Sequence, residues 1–339
     1  MEQLRIGVVN WDASLPPDTY FGMHTSRTLC PAKYRTRTPF YADVMNENKI
    51  EYHTRSIEEF DKELQYAIDA NIDYFAYVWY PEEGSHNHVQ TSPSDCSHKV
   101  YELNYARKMH MQSALRSKIG LCAIAAAHPF SDNDILDLVS AMKEDCYEKY
   151  NGKPILFIYK GYDEEFIQRV ISAAQQLGIE TPYFVIFCDT LEGGKKHADA
   201  LSRYCHVITD VPSWESFMDQ TIVGNQNRID CGYPTIPVFS FGWNPAPRLE
   251  THVPWYLYDE TQYFAFKDDE YVKAGERFAQ WLKDVNNDAM INHVLTFAWN
   301  EFEEGAHICP TYNQDLSINT DRVRIFKEMA NMWKNAYSR

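Results

Sequence analysis

Short apolar runs alternate with amphipathic stretches along the whole 339-residue chain. Runs at 6–11, 74–79, 121–127, 155–159, 183–187, 206–211, 236–243 and 293–299 are rich in Val, Ile, Phe and Tyr. Short runs of this composition are expected of strands buried on both faces. Helical patterns separate them. Ser56-Ile57-Glu58-Glu59 reads as a capping box, and the run it opens sets Phe60, Leu64, Ala67 and Ile68 on one face. Further helices are expected over 101–116, 133–150, 164–177, 195–204, 215–227, 269–285 and 321–336, with Ser131 or Asp132 capping the second of these and Gly178 ending the third.

Eight strand-then-helix units imply a parallel sheet closed into one (β/α)₈ barrel of a single domain, 1–339. An open doubly wound sheet would announce itself with a glycine-rich first turn, whereas the segment after Trp11 reads Asp-Ala-Ser-Leu-Pro-Pro. Long connections follow the first, second and seventh strands, over about 12–53, 80–99 and 243–267. Loops of that length are usually functional, and in a barrel they gather at the C-terminal face where active sites lie.

Composition narrows the function. With 32 Lys and Arg against 48 Asp and Glu, the formal net charge is −16, which repels nucleic-acid backbones. No apolar run is long enough to span a membrane, so neither nucleic acid nor membrane is an expected partner. The first residues show no export signal, which implies a cytoplasmic protein or the mature form of an exported bacterial one. The eight cysteines are scattered, and most are expected to be reduced. An aromatic content of 14%, including 8 Trp and 23 Tyr, suits an oligosaccharide or polysaccharide substrate, whose C–H faces stack on rings.

The eighth strand delivers Trp299-Asn300-Glu301-Phe302-Glu303-Glu304-Gly305 to the barrel mouth. Three carboxylates in four residues repel one another there unless function requires them. Glu301 and Glu304 are three residues apart, so their Cα atoms are at most roughly 10–11 Å apart. That leaves room for either carboxyl spacing used by glycosidases. Other strand ends supply Asp12, Trp79, Tyr80, His128, Tyr159, Asp189, Asp210, Trp243 and Asn244, a polar and aromatic set suited to gripping hydroxyls and sugar faces. His86-Asn87-His88 with His98 could share a metal, but exposed loop histidines are commoner, and neither metal nor cofactor is expected.

Four segments carry a family resemblance. Ile72-Asp73-Tyr74-Phe75-Ala76-Tyr77-Val78-Trp79-Tyr80 resembles the second-strand motif of the glycoside hydrolase family 99-like proteins, a group that includes WbsX-like members. Arg37-Thr38-Pro39-Phe40-Tyr41 is similar to its early Arg-x-Pro-Tyr-Tyr segment, and Phe241 to Arg248 to its Gly-Trp-Asp-Asn-x-x-Arg loop. Trp299 to Gly305, continuing to Pro310, resembles the Trp-Asn-Glu-Trp-x-Glu-Gly ending. Phe302 stands where that ending has Trp, and Asn244-Pro245 where the loop has Asp-Asn.

The resemblance implies a (β/α)₈ barrel and a retaining glycosidase related to the endo-α-mannosidases, with Glu301 and Glu304 catalytic and Glu303 a spectator. Glu301 would deprotonate the sugar's own 2-hydroxyl, and Glu304, with a raised pKa, would protonate the leaving oxygen. Trp79 and Trp243 would stack on substrate, with Tyr80 and Arg248 making polar contacts; His128, Tyr159, Asn244, Trp299 and Asn300 complete the expected binding set. The alternatives are a WbsX-like glycan-processing enzyme or glycosyltransferase, and a non-catalytic carbohydrate-binding barrel.

Overall fold

The computed structural model describes residues 3–82, 100–159, 161–191, 195–206, 213–256, 263, 265–285 and 289–337. Eight parallel strands form its centre: β1 (Arg5–Asn10), β2 (Tyr74–Trp79), β3 (Gly120–Ala125), β4 (Lys153–Ile158), β5 (Tyr183–Phe187), β6 (Ala200–Ser202), β7 (Val238–Ser240) and β8 (His293–Phe297). They pair in the order β7-β8-β1-β2-β3-β4-β5-β6. A parallel bridge from Leu201 to Thr235, with the Ile236 amide donating to the Leu201 carbonyl at 2.9 Å, carries β6 toward the segment leading into β7 and nearly closes the barrel. The strands are apolar on both faces because one face fills the barrel and the other meets helices. At Gly7 the interior is already occupied: a Cβ would fall 2.1 Å from the ring of Tyr74, its register partner on β2.

Helix α1 (Tyr20–Leu29) lies in the long connection after β1. Next come α2 (Ile57–Asp69), α3 (Tyr105–Gln112), α4 (Asp132–Ala141), α5 (Glu164–Leu177) and α6 (Trp214–Asp230), then the short α7 (Ala246–Glu250) after β7, α8 (Asp268–Asp284) and α9 (Asp321–Tyr337). Ser56 and Ser131 both form reciprocal capping boxes, with Glu59 and Asp134, satisfying amide donors that the first helical turn cannot. Gly178 ends α5 at φ 65, a left-handed conformation that costs glycine little.

Three expectations are corrected. The sixth strand is Ala200–Ser202, inside a segment read as helix, and His206 lies outside any strand; 207–211 falls outside the described residues. The helix expected over 133–150 stops at Ala141, and Lys149–Tyr150 instead pairs antiparallel with Lys153 and Pro154. The helix expected from 101 begins at Tyr105, after a 3₁₀ turn. Residues 83–99 of the second long connection, with His86, His88 and His98, lie outside the described residues, as do Cys96 and Asp210. The seven described cysteines are all free thiols. No described helix is long and apolar enough to cross a membrane.

Candidate active site

The chain leaves β8 at Phe297 and makes a tight loop at the C-terminal end of the barrel. The Trp299 amide donates to the Val9 carbonyl at 2.8 Å, while the Ile308 and Cys309 amides return to the Trp299 carbonyl at 3.0 and 2.9 Å. Gly305, at φ 69, turns the loop back, and the Asn244 amide donates to the Glu304 carbonyl at 2.7 Å. Asn300 is fixed from β1: its Oδ1 accepts from the Trp11 amide at 2.9 Å and its Nδ2 donates to Asn10 Oδ1 at 3.0 Å. Trp299 is fully buried, and its indole Nε1 donates to Glu63 Oε1 on α2 at 2.7 Å. Glu63 is in turn ion-paired to Arg55, whose Nη2 reaches Asp12 Oδ2 at 2.6 Å. The residues before Glu301 are therefore anchored on both sides, in a buried polar network.

Glu301, Glu303 and Glu304 are all buried, at 4, 5 and 6% exposure, and converge on the guanidinium of Arg248, itself 4% exposed on α7. Nη2 donates to Glu301 Oε2 and to Glu303 Oε2, each at 3.1 Å, while Nη1 donates to Glu304 Oε1. The second oxygen of Glu303 accepts from the Thr28 hydroxyl on α1 at 2.7 Å. Glu303 thus shares Arg248 with the two expected catalytic residues, and Arg248 is committed to protein carboxylates. One cation facing three buried carboxylates leaves anionic charge in a dry site, a costly arrangement relieved by holding a proton.

Glu301 is one group whose surroundings favour a proton. Burial pushes its carboxyl well above the usual carboxylate range; the nearby charge of Glu304 adds to this, and Arg248 opposes it. This runs against the expectation that Glu301 stays ionised. The same carboxylates hold Arg248 more firmly charged than an ordinary arginine, against the cost of its burial.

The remaining expected residues divide into buried and accessible groups. Trp79 is 1% exposed, with the Arg107 guanidinium 3.6 Å over its ring, and Trp243 is 3% exposed, packed beside Phe297. Neither offers an open stacking face. Aromatic side chains at strand ends bury large areas, and here packing takes them. Tyr80 is half-buried, accepts from Trp11 Nε1 at 3.0 Å and lies 5.3 Å from the His128 ring. Tyr159 is half-buried against Tyr204, which continues to Phe297. Asn244 is half-buried, and its carbonyl accepts from Arg37 at 2.7 Å.

A second aromatic group packs around Trp11, whose ring lies 5.5 Å from the Arg248 guanidinium. Half-buried Trp255 is 6.0 Å from both Trp11 and Tyr20, with Phe21 behind them. The sequence signals for Trp255 and Tyr20 are weak, since each stands in a long connection between strands with no motif around it. Among the described residues no group of His, Cys, Asp and Glu is arranged to hold a metal ion.

No family model matches the chain, and no curated protein matches it. Among solved structures the chain is similar to the family 99 endo-α-mannosidase of Bacteroides thetaiotaomicron, at 15% identity and a TM-score of 0.56, over 89% of this chain and 85% of that one. A second structure of an endo-α-mannosidase of that family, in complex with bis-tris-propane, gives 12% identity and a TM-score of 0.58 over 98% of both chains. At these identities the likeness establishes the fold, a (β/α)₈ barrel shared with glycoside hydrolases.

Proposed function

We propose that the chain is a retaining glycoside hydrolase that cleaves an α-glycosidic bond, mannoside-like or of a related sugar, in a complex glycan or polysaccharide, with Glu301 and Glu304 as its catalytic carboxylates. The observation that carries this reading is the buried convergence of both residues on Arg248 at the end of β8. One guanidinium spanning both carboxyl groups favours the short separation of about 5–5.5 Å used by retaining pairs. Catalysis needs one carboxyl protonated to assist the leaving oxygen and one ionised to act as base or nucleophile. A site that holds a proton among Glu301, Glu304 and one arginine supplies that combination near neutral pH.

The resemblance assigns the base to Glu301, whereas burial raises the pKa of that carboxyl. Substrate sets the protonation of the pair by hydrogen bonding. A sugar 2-hydroxyl donating to Glu301 stabilises its anion, and a glycosidic oxygen that can only accept favours a protonated Glu304. The bound sugar thus leaves Glu301 ionised as the base and Glu304 protonated as the acid. Trp255 and Tyr20, rather than Trp79 and Trp243, have the exposure to meet a sugar face.

The test uses α-linked oligosaccharides and their analogues deoxygenated at C2 of the reacting sugar. The natural sugars are expected to be cleaved and the 2-deoxy analogues to bind without cleavage, since the internal nucleophile is missing. Efficient cleavage of the analogue would refute the 2-hydroxyl route, and failure to cleave any glycan would refute the hydrolase reading itself.

A further inference from the structure

Glu303 occupies the position that the family resemblance treats as variable, yet its surroundings are built. Its two oxygens face opposite sides of the site. Oε2 accepts from Arg248 Nη2 at 3.1 Å, the same nitrogen that stands 3.1 Å from Glu301 Oε2. Oε1 accepts from the hydroxyl of Thr28, a residue with no exposed surface. That hydroxyl also lies 2.8 Å from the Thr25 carbonyl, but it has a single proton, and the carboxylate oxygen at 2.7 Å is the closer acceptor. Glu303 therefore ties α1, from the connection after β1, to α7, from the connection after β7. Tyr52, also buried, is close enough to feel its charge.

We infer that Glu303 is a positioning residue: held from α1 by Thr28, it draws Arg248 partly away from Glu301 and so sets how the guanidinium is shared between the two catalytic carboxylates. The inference rests on the glycosidase reading for its consequence but not for its geometry. An arginine free to close on Glu301 would lock that carboxyl as a charged pair, unable to carry the proton the reaction needs. With Glu303 in place, Glu301 keeps only part of the cation. The charged and titratable groups facing Glu301 are Glu303 and Glu304 from its own loop, Arg248 from α7, Tyr80 from the end of β2, and Tyr204 and Cys205 after β6.

The signs follow from this sharing. In Glu303→Gln a like charge disappears and Arg248 is released toward Glu301, and both changes favour the Glu301 anion. In Thr28→Val, Glu303 keeps its charge, loses its α1 partner and leans on Arg248, which takes the cation away from Glu301. The full-length protein is labelled with carboxyl-¹³C glutamate, the Glu301 signal is assigned by its loss in Glu301→Gln, and its titration is followed by NMR. The midpoint is expected to fall by about one pH unit in Glu303→Gln, the low end of the effect of one close charge. In Thr28→Val it is expected to rise. If the glycosidase reading holds, the Glu301-dependent limb of the kcat/KM–pH profile moves in the same directions.

A purely structural anchor would lower thermal stability in both variants and leave the midpoint where it is in the parent, and that result overturns the inference. So does a midpoint that rises in Glu303→Gln. Should Glu303→Gln not fold, Thr28→Val decides alone: an upward shift supports the inference, and no shift or a downward one refutes it. A parent protein that cleaves no glycan defeats the catalytic reading while the titration still decides this one. Cleavage with an unmoved midpoint does the opposite.

Discussion

Replacing Arg248 with Met keeps much of the side chain's bulk and removes the cation on which Glu301, Glu303 and Glu304 converge. All four groups are at most 6% exposed, so solvent does little to screen the change. Removing one partner from a buried ion pair typically costs about 3–5 kcal/mol because the remaining charge is left uncompensated. Here the orphaned groups can escape by binding protons, which makes the cost depend on pH. Glu301 already has a folded-state pKa above its unfolded value. For a carboxyl shifted in that direction, the folded state binds more protons than the unfolded state between the two pKa values, so stability falls as pH rises through that window. Removing Arg248 raises the folded pKa of Glu301 further and widens the window upward from the unfolded value of about 4.3. Each additional proton held contributes a slope of about 1.4 kcal/mol per pH unit.

Urea unfolding of the parent and Arg248→Met at pH 5 and pH 8 measures this directly. The variant is expected to lose about 3–5 kcal/mol at pH 8 and to recover at least about 1.4 kcal/mol of that at pH 5, equivalent to one proton over one pH unit. An equal deficit at the two pH values, or a deficit below about 1 kcal/mol at pH 8, would refute the view of Arg248 as the neutralising centre of the site, since the reference cost is about 3–5 kcal/mol.

Other outcomes follow from the same geometry. Trp299→Phe leaves Glu63 Oε1 without its indole donor and is expected to cost about 1–3 kcal/mol in chemical denaturation; an unchanged midpoint would argue against the Glu63 link. Trp79→Ala, which strips the ring beneath Arg107, is expected to lose about 3–5 kcal/mol of stability, whereas a stable variant with weakened glycan binding would restore Trp79 as a platform. Trp255→Ala loses ring contacts with Trp11, Tyr20 and Phe21, so it is expected to lower the melting temperature, and in the folded variant to weaken glycan binding roughly 2- to 13-fold by isothermal titration, the scale of about 0.5–1.5 kcal/mol for one aromatic contact.

The barrel was legible because its strands are buried on both faces, and continuous apolar runs such as Tyr74–Trp79 and Tyr183–Phe187 mark that burial along the chain. The sixth strand hid for the opposite reason. Ala200–Ser202 contributes three small or aliphatic residues, within a segment whose charged neighbours read as helix, and the apolar residues near Val207 drew the reading away. The carboxylates of the β8 loop were legible from their position after the last strand. Their electrostatics were not, because the cation that organises them sits 53 residues before Glu301. In sequence Arg248 resembles a substrate contact and Glu303 a spectator, while the structure puts Glu303 on the Arg248 guanidinium beside Glu301. Trp79 and Trp243 were misjudged because a tryptophan at a strand end suits core packing and sugar stacking equally well in sequence, and only the Arg107 cover and the Phe297 contact separate the two.

The central claim is most directly tested by ¹H NMR of an α-linked glycan during hydrolysis, following the anomeric proton of the first sugar released. A retaining reaction through Glu301 and Glu304 should give the α anomer first, with β appearing later by mutarotation, and Glu301→Gln or Glu304→Gln should slow its release by a few powers of ten. First appearance of the β anomer, or undiminished release by either variant, would contradict the account.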